Sequence, residues 1–242
     1  MYFLKEKLVL YFDLEGQLAK GQRLIRVSLG WVNVFFIKGK KAVIVDTGPP
    51  GAGRRVLNAL LRHNIKREEV SLIILTHAHF DHFGGAPTLR QVLSAPLAVH
   101  RADAFYLERG ENAPIIPLGL FGKVLIGVFR GWAKKRLAIP CEILIEDRLD
   151  LSQFGINAYI LPTPGHTEGS ISVILSDGEA IIGDLLAPHP IFRWRPNLPL
   201  FAQEKGLVLE SIKMLLSLGI NKFYAAHGGP WDREDIEKWI LK

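Results

Sequence analysis

The stretch 76–82 concentrates three imidazoles and one carboxylate in six consecutive residues, directly after the apolar run 72–75. Imidazole is the commonest protein ligand for zinc, and a carboxylate among imidazoles suits zinc, iron or manganese better than a soft metal. The stretch therefore predicts a metal site at the end of a buried strand. Its candidate ligands are His77, His79, Asp81 and His82.

Three further candidate ligands, His166, Asp184 and His227, each follow a short apolar run typical of a strand. Loops at the ends of strands in open α/β sheets can aim side chains at a common point. The resulting seven candidates exceed the three or four protein groups that one zinc ion normally takes. This excess predicts two metal ions, which can share a carboxylate and a water, and Asp184 is the candidate for the shared carboxylate.

Composition limits the chemistry further. Cys141 is the only cysteine, so an intrachain disulfide and a cysteine-based metal site are both excluded, and any metal must bind to nitrogen and oxygen. The 242 residues are 48% hydrophobic and 22% charged, as in ordinary globular proteins. The first residues lack the order of a signal peptide, so we expect a cytoplasmic protein. The formal charge of +6 is scattered, which favours a solvated surface.

The apolar patterns also predict the elements that position these ligands. The predicted strands cover 9–14, 24–29, 32–37, 42–45, 71–75, 97–99, 158–161, 171–175, 180–183 and 223–226. The predicted helices cover about 56–63, 84–93, 207–216 and 232–241. The run 72–75 does not alternate, which is typical of a central strand covered on both faces.

The two halves of the chain repeat one plan. Each half has a hairpin, an aspartate at the end of its second strand, a helix, a further strand and a histidine at its end. Asp46 corresponds to Asp184 and His77 to His227, and thirteen residues separate hairpin start from aspartate in both halves. Each half has one sheet face left to bury. The duplication therefore predicts an α/β fold, a four-layer αββα sandwich of two packed sheets with outer helices.

Five motifs in this order resemble the metallo-β-lactamase superfamily over nearly the whole chain. They are Asp46-Thr47-Gly48, Thr76-His77-Ala78-His79-Phe80-Asp81-His82, Thr163-Pro164-Gly165-His166, Gly183-Asp184 and His227-Gly228-Gly229-Pro230. The resemblance implies one domain over 1–242 with the αββα fold. It also implies two metal ions, which we expect to be zinc, with iron or manganese as alternatives.

The resemblance distributes the ligands between the two ions. It places His77, His79 and His166 on the first metal, Asp81, His82 and His227 on the second, and Asp184 between them. Asp46 would orient a ligand without binding the metal itself. Alternatively, Asp46 caps the turn formed by Gly48 and Pro49.

Departures from known branches narrow the chemistry. Zinc β-lactamases typically use a cysteine on the second metal, and Cys141 lies at none of the motifs, so antibiotic hydrolysis is not expected. The ligand set resembles that of glyoxalase II, which hydrolyses thioesters, but only fifteen residues follow His227, too few for that family's glutathione-binding helical domain. The tyrosine of lactonases after the bridging aspartate is replaced by Leu185-Leu186-Ala187. The substrate branch stays unassigned.

Three functions are compatible with these motifs. The first is a dinuclear metal-dependent hydrolase in which a metal-bound hydroxide attacks an ester-like bond of a small molecule, such as a thioester, lactone or phosphoester, with Asp81 or Asp184 orienting the nucleophile. The second is a mononuclear iron persulfide dioxygenase using His77, His166 and Asp184. The third is a non-catalytic, metal-stabilised module that binds a membrane or a partner. Nucleic acid is not expected as a partner.

The segment 101–140 is longer than a sheet connection requires, which predicts a cap or lid insertion. Within it, 118–136 is a basic amphipathic stretch whose apolar face can cap the cleft, contact a membrane surface or acyl chain, or form a dimer contact. The oligomeric state is left open. The apolar face comprises Phe121, Val124, Leu125, Val128 and Trp132, and the basic residues are Lys123, Arg130, Lys134, Lys135 and Arg136.

A loop rich in proline, arginine and tryptophan follows Asp184. Its residues His189 and Arg193 are candidate substrate contacts, since Arg193 and Arg195 could hold a carboxylate or phosphate. Alternatively, Trp194 anchors the loop and the arginines are solvated.

Overall fold

The computed structural model describes residues 14–18, 21–119, 122–124, 126 and 138–241. Seven strands form the first sheet in the order β1-β2-β3-β4-β5-β6-β7. The pairs from β1 to β4 are antiparallel, and those from β4 to β7 are parallel. These strands are β1 (Leu14–Leu18), β2 (Gln22–Ser28), β3 (Asn33–Lys38), β4 (Ala42–Val45), β5 (Val70–Ile74), β6 (Leu97–His100) and β7 (Ile143–Ile145).

The second sheet contains β8 (Leu149–Asp150), β9 (Ala158–Pro162), β10 (Ile171–Leu175), β11 (Glu179–Ile181), β14 (Lys222–Tyr224) and β15 (Trp231–Asp232). Their order is β15-β14-β11-β10-β9-β8, and β11 and β14 are parallel. A separate small hairpin pairs β12 (Ala187–Pro188) with β13 (Pro196–Asn197).

The described helices are α1 (Gly53–Arg62), α2 (Phe80–Phe83), α3 (Ala86–Arg90), α4 (Arg101–Arg109), α5 (Lys205–Ser217) and α6 (Arg233–Ile240). Apolar residues of α1, α3 and α4 pack on the outer face of the first sheet. Those of α5 and α6 pack on the outer face of the second sheet. The predicted αββα sandwich is confirmed.

Strand β5 shows why the central strands are apolar throughout. Leu72 and Ile74 face the core between the two sheets, whereas Ile73 and Leu75 face the helices on the other side. All four side chains are completely buried. Because successive side chains of a strand point to opposite faces, a strand covered on both sides carries no polar alternation.

The internal duplication is visible in the topology. The hairpin β3–β4 is followed by α1 and by β5, which is parallel to β4. The hairpin β10–β11 is likewise followed by α5 and by β14, which is parallel to β11. Equivalent strand ends therefore face each other across the sandwich, and this brings the two halves of the candidate site together.

The strands next to the site end earlier than predicted. Strand β11 ends at Ile181 rather than at Gly183, and β14 ends at Tyr224 rather than at Ala226. Gly183 has a positive φ of 53°, so the backbone leaves the sheet before it reaches the aspartate. The Ala226 amide still donates to the Gly183 carbonyl at 2.9 Å, which fixes the two departing loops against each other.

The predicted insertion at 101–140 begins inside the core, because Ala104 and Leu107 of α4 are buried there. The Leu118 amide donates to the Leu200 carbonyl at 2.8 Å, so the chain then crosses to the second half. Most of the predicted amphipathic stretch, including Phe121, Leu125 and 127–136, lies outside the described residues. Among the helices that the structure describes, none is long and apolar enough to cross a membrane.

Candidate metal centre

All seven candidate ligands lie together in the segments that follow β5, β9, β11 and β14, with Asp81 and His82 in the short helix α2. Six of them are buried, and His227 is partly exposed at the edge of the site. The structure thus brings every ligand candidate of the sequence to one edge of the sandwich. We call His77, His79 and His166 the first ligand group, and Asp81, His82 and His227 the second ligand group.

The first ligand group presents three nitrogens to one point. His166 Nε2 lies 3.1 Å from His77 Nε2 and 3.0 Å from His79 Nδ1, and the latter two atoms are 3.1 Å apart. Zinc–nitrogen bonds of about 2.0–2.1 Å at tetrahedral angles separate ligand nitrogens by about 3.3 Å. The triangle thus needs only a small expansion to hold an ion.

Burial keeps the first ligand group neutral. Loss of solvation lowers the pKa of His77 well below its usual value and lowers that of His79 to about 3. It also lowers the pKa of His166. Neutral imidazoles have free lone pairs, so this group can bind a metal without first losing protons.

The second ligand group shares Asp184 with the first. His227 Nε2 lies 3.2 Å from Asp81 Oδ2 and 3.3 Å from Asp184 Oδ2. Asp184 Oδ2 lies 3.6 Å from His166 Nε2, and Asp184 Oδ1 lies 3.5 Å from His82 Nε2. The Asp184 carboxylate is therefore within reach of an ion in either group.

Two atoms of the second ligand group and Asp184 have no hydrogen-bond partner among the described residues. They are His82 Nε2 and Asp184 Oδ1, both buried. Buried polar atoms are almost always satisfied, because an unpaired one costs about 1–3 kcal/mol. A cation between these two atoms would satisfy both, so the donor set fits a divalent metal.

Strong charges occupy the second ligand group. Burial disfavours a charged His82, but Asp184, Asp46 and Asp81 outweigh burial and hold the pKa of His82 well above its usual value. Burial also opposes charge on His227, yet Asp184 and Asp81 raise the pKa of His227 to about 10. Conversely, His227 and His82 hold the pKa of Asp184 well below its usual value despite burial. Without metal, the surrounding carboxylates therefore favour the imidazolium form of both histidines.

This contrast predicts that the two groups respond differently to pH. An ion entering the second ligand group must displace protons from His82 and His227, whereas the first ligand group has none to release. Between pH 6 and 8, affinity at the second ligand group should rise about tenfold per pH unit for each displaced proton. Zinc titration calorimetry in buffers of different ionisation enthalpy measures this release, and equal proton release in both binding events would contradict it.

The rings of His82, His166 and His227, which present Nε2 to the candidate metal site, are each held by a hydrogen bond through Nδ1. His82 Nδ1 donates to Asp46 Oδ2 at 2.9 Å. His166 Nδ1 donates to the Phe201 carbonyl at 2.8 Å, and His227 Nδ1 donates to the carbonyl of Trp31 at 2.8 Å. Such bonds fix the tautomer that directs Nε2 towards the metal.

Asp46 makes more contacts at the site than a residue that only caps a turn would make. Its carboxylate also accepts hydrogen bonds from the Thr76 amide and hydroxyl, both at 2.8 Å. The Thr47 hydroxyl donates to the His82 carbonyl at 2.7 Å, which holds the following loop. A Cβ at Gly85 would lie 2.1 Å from the Thr47 carbonyl oxygen, so glycine permits this close approach. These contacts favour the role in orienting His82.

A family model described as the metallo-beta-lactamase superfamily matches residues 29–227. The chain belongs to this superfamily. It is 31% identical to the probable metallo-hydrolase MJ0888 of Methanocaldococcus jannaschii over 210 residues, which cover 83% of this chain and 89% of that protein. It is 27% identical to the acyl-coenzyme A thioesterase MBLAC2 of Bos taurus over 179 residues, which cover 68% of this chain and 61% of the relative.

Solved structures resemble the chain as well. TTHA1623 in a di-iron-bound form is 26% identical, with a TM-score of 0.60, over 86% of this chain and 93% of that chain. The archaeal protein ST1585 of Sulfolobus tokodaii is 23% identical, with a TM-score of 0.62, over 87% of this chain and 79% of that chain. The chain is thus a superfamily member with histidine and aspartate groups that suit a divalent metal, and the two sequence relatives above are named as hydrolases.

Asp103, a buried carboxylate in the first turn of α4, was not predicted from the sequence. It accepts hydrogen bonds from the Ala78 amide at 2.6 Å, the Thr167 hydroxyl at 2.9 Å and the Gly169 amide at 3.0 Å. It therefore ties the loop of His77 and His79 to the loop of His166. Its position after β6, the neighbour of β5, was the available signal, because the ends of adjacent parallel strands meet at one sheet edge.

A cavity of about 310 Å³ opens onto the candidate ligands. Its lining includes Arg193, one of the two predicted substrate contacts. The other, His189, lies apart in a separate surface groove with Trp194 and Arg195. His189 Nδ1 there accepts hydrogen bonds from the amides of residues 191 and 192 at 3.2 and 3.1 Å, so its ring organises the hairpin tip.

Proposed function

We propose that this superfamily member is a dinuclear metal-dependent hydrolase that cleaves an ester-like bond of a small molecule. The observation that supports this most directly is the position of Asp184. Its carboxylate lies within 3.6 Å of His166 in the first ligand group and within 3.5 Å of His82 and His227 in the second. A carboxylate shared between two groups is the arrangement of two-metal sites, whose ions lie about 3.5–4 Å apart.

The residues divide the work as follows. His77, His79 and His166 would hold one ion, Asp81, His82 and His227 would hold the other, and Asp184 would contact both. Bound ions of this kind lower the pKa of a water to near neutrality and polarise the substrate oxygen. Zinc is proposed for both positions, with iron or manganese as alternatives, because all donors are nitrogen or oxygen.

The chain itself positions the reaction. Asp81 and Asp184, the carboxylates of the ligand set that line the cavity, would orient the attacking water by accepting hydrogen bonds from it. The indole of Trp31 stacks on His227 with ring centroids 5.4 Å apart, and together with Phe80 it forms an apolar wall over the ligands. The low polarity of this wall strengthens the electrostatic interactions beside it.

A thioester is the first bond to test. The relative MBLAC2 is named an acyl-coenzyme A thioesterase, and the sequence motifs resemble those of glyoxalase II, which hydrolyses thioesters. Lactones and phosphodiesters complete the panel. Zinc-loaded protein should hydrolyse at least one class, lose this activity after chelation, and regain it fully only at two equivalents of zinc.

The same panel separates the alternatives. Oxygen consumption on addition of a persulfide, with one iron per chain, would replace the proposal with an iron dioxygenase. Tight liposome binding without turnover of any substrate would favour a non-catalytic module that binds membranes.

Asp46 provides a selective test of the second ligand group. We expect Asp46→Ala to weaken zinc binding there by about 10- to 100-fold, since His82 loses the acceptor that fixes its ring. The first ligand group should retain its affinity. Competition with a chromophoric chelator resolves the two constants, and an equal loss in both groups would assign Asp46 a general structural role instead.

A further inference from the structure

The cavity over the candidate ligands is apolar along its walls and cationic at one point. Among its described lining residues, Arg193 is the only lysine or arginine. The walls are formed largely by aromatic, aliphatic and proline side chains, and the acidic lining residues, Asp81 and Asp184, belong to the ligand set. The apolar lining includes Trp31, Phe80, Ile115, Pro190, Leu200 and Phe201.

Arg193 is unpaired within the part of the chain that the structure describes, where it makes no hydrogen bond, ion pair or aromatic contact. Arg195, two residues away, places its guanidinium 5.2 Å from the Phe192 ring and lines the separate groove. The same exposed hairpin tip thus turns one arginine towards the candidate site and the other away from it.

The hairpin that carries Arg193 is well anchored. The His189 amide donates to the Arg195 carbonyl at 2.9 Å, and the Trp231 indole donates to the Trp194 carbonyl at 2.9 Å. Strands β12 and β13 close its base. Because these contacts restrain the backbone on both sides of residue 193, little backbone ordering is required when its guanidinium binds a ligand.

We propose that Arg193 binds an anionic group of the substrate, a carboxylate or a phosphate, while an apolar portion of the same substrate packs against Trp31 and Phe80. The substrate class is therefore an amphiphilic anion with its ester-like bond between these two parts. This inference rests on the proposed hydrolysis, because the bond must reach the candidate ligands. A planar guanidinium offers two parallel donors to either kind of anion.

Size limits the apolar portion. The cavity volume of about 310 Å³ is near the lower end of the range for small-molecule sites, about 300–1,000 Å³. It suits a short acyl chain or a single aromatic group rather than a polymer. Arg193 itself is exposed at the surface, so the anionic end can extend into solvent.

Two hydrolytic comparisons test the assignment. Hexanoyl thioesters of 2-mercaptoethanol, 3-mercaptopropionate and 2-mercaptoethyl phosphate share the apolar part and differ only in the thiol portion and its charge, and they distinguish a carboxylate from a phosphate. For Arg193→Gln, the preference in kcat/KM for the better anionic thioester over the neutral one should fall about tenfold, mainly through KM. For Arg193→Lys, this preference should fall by less, because lysine retains the charge without the paired donors of a guanidinium.

Arg195→Gln is the matched control, since it removes the same charge from the same hairpin. For this variant, the preference in kcat/KM for the anionic over the neutral thioester should stay within about twofold of the wild-type value, because long-range attraction contributes little at physiological salt. An equal loss in both variants, or no loss in Arg193→Gln, would overturn the assignment.

A binding measurement keeps this test separate from the proposed hydrolysis. Calorimetry of the zinc-loaded protein with 1-octanesulfonate and with the neutral octyl methyl sulfone needs no turnover. Arg193→Gln should weaken the sulfonate relative to the sulfone by about tenfold, and Arg195→Gln should not. If no thioester is cleaved but this difference in affinity appears, the proposed hydrolysis is wrong and the proposed anion site is supported. If the thioesters are cleaved without it, the anion site is wrong.

Discussion

Asp184→Asn is expected to reduce bound zinc from two equivalents to about one and to lower kcat by about a thousandfold or more, because an ion in such a site supplies several kcal/mol of transition-state stabilisation. The substitution conserves shape, removes the negative charge and replaces one carboxylate oxygen by an amide nitrogen, which cannot bind a metal in the same way. In the metal-free protein, this charge lies beside the imidazolium groups of His82 and His227. In the loaded protein, it would lie between two divalent cations.

Asp150→Asn is the matched control for this substitution. Asp150 is an exposed carboxylate of β8 that accepts a hydrogen bond from the Ser152 amide. The Asp150→Asn substitution should leave zinc content and kcat unchanged. Elemental analysis after gel filtration, paired with steady-state kinetics, decides the outcome. An Asp184→Asn protein that keeps two zinc ions and loses less than tenfold in rate would show that Asp184 is not shared.

Asp103→Ala is expected to destabilise the metal-free protein by about 2 kcal/mol or more, since the amides of Ala78 and Gly169 would lose a buried acceptor at about 1–3 kcal/mol each, whereas the Thr167 hydroxyl keeps its contact with the Ser170 hydroxyl. The loops that carry the first ligand group would separate. We therefore also expect zinc affinity to fall at the first ligand group more than at the second. Asp103 acts as a positioning residue, because its contacts run to loops and not to a ligand atom.

Denaturant unfolding and zinc titration of the folded fraction measure the two effects of Asp103→Ala separately. Burial raises the pKa of Asp103, so its charged form carries a cost that Asp103→Asn removes while keeping one oxygen acceptor. The asparagine variant should therefore lose less stability than the alanine variant. Asp235→Ala, at an exposed position of α6, serves as the control. A uniform loss of zinc affinity in both groups would reduce Asp103 to a general stabilising residue.

The αββα sandwich could be predicted from the sequence because its determinants are local and periodic. The apolar run of β5 indicates a strand that is buried on both faces. The repeated order of elements in the two halves indicates two sheets with equivalent strand ends. The ligands follow from this arrangement. Once the strands are placed, a histidine or aspartate directly after each strand has few other places to lie.

Other features depend on contacts that side-chain identity does not encode. His166 and His227 are oriented by the backbone carbonyls of Phe201 and Trp31, and any residue type supplies a carbonyl. Asp103 lies in a segment with the length of an insertion, and its three donors come from two distant loops. Likewise, the sequence of the loop after Asp184 does not indicate which of Arg193 and His189 lines the cavity, because the hairpin geometry decides which side chain faces it.

The most direct test of the dinuclear assignment is anomalous diffraction at the zinc edge from crystals of the zinc-loaded protein. The geometry of the two ligand groups predicts two peaks about 3.5–4 Å apart, one on each side of the Asp184 carboxylate. The first should contact His77, His79 and His166, and the second should contact Asp81, His82 and His227. A single peak at full loading, with either group left without an ion, would contradict the dinuclear assignment.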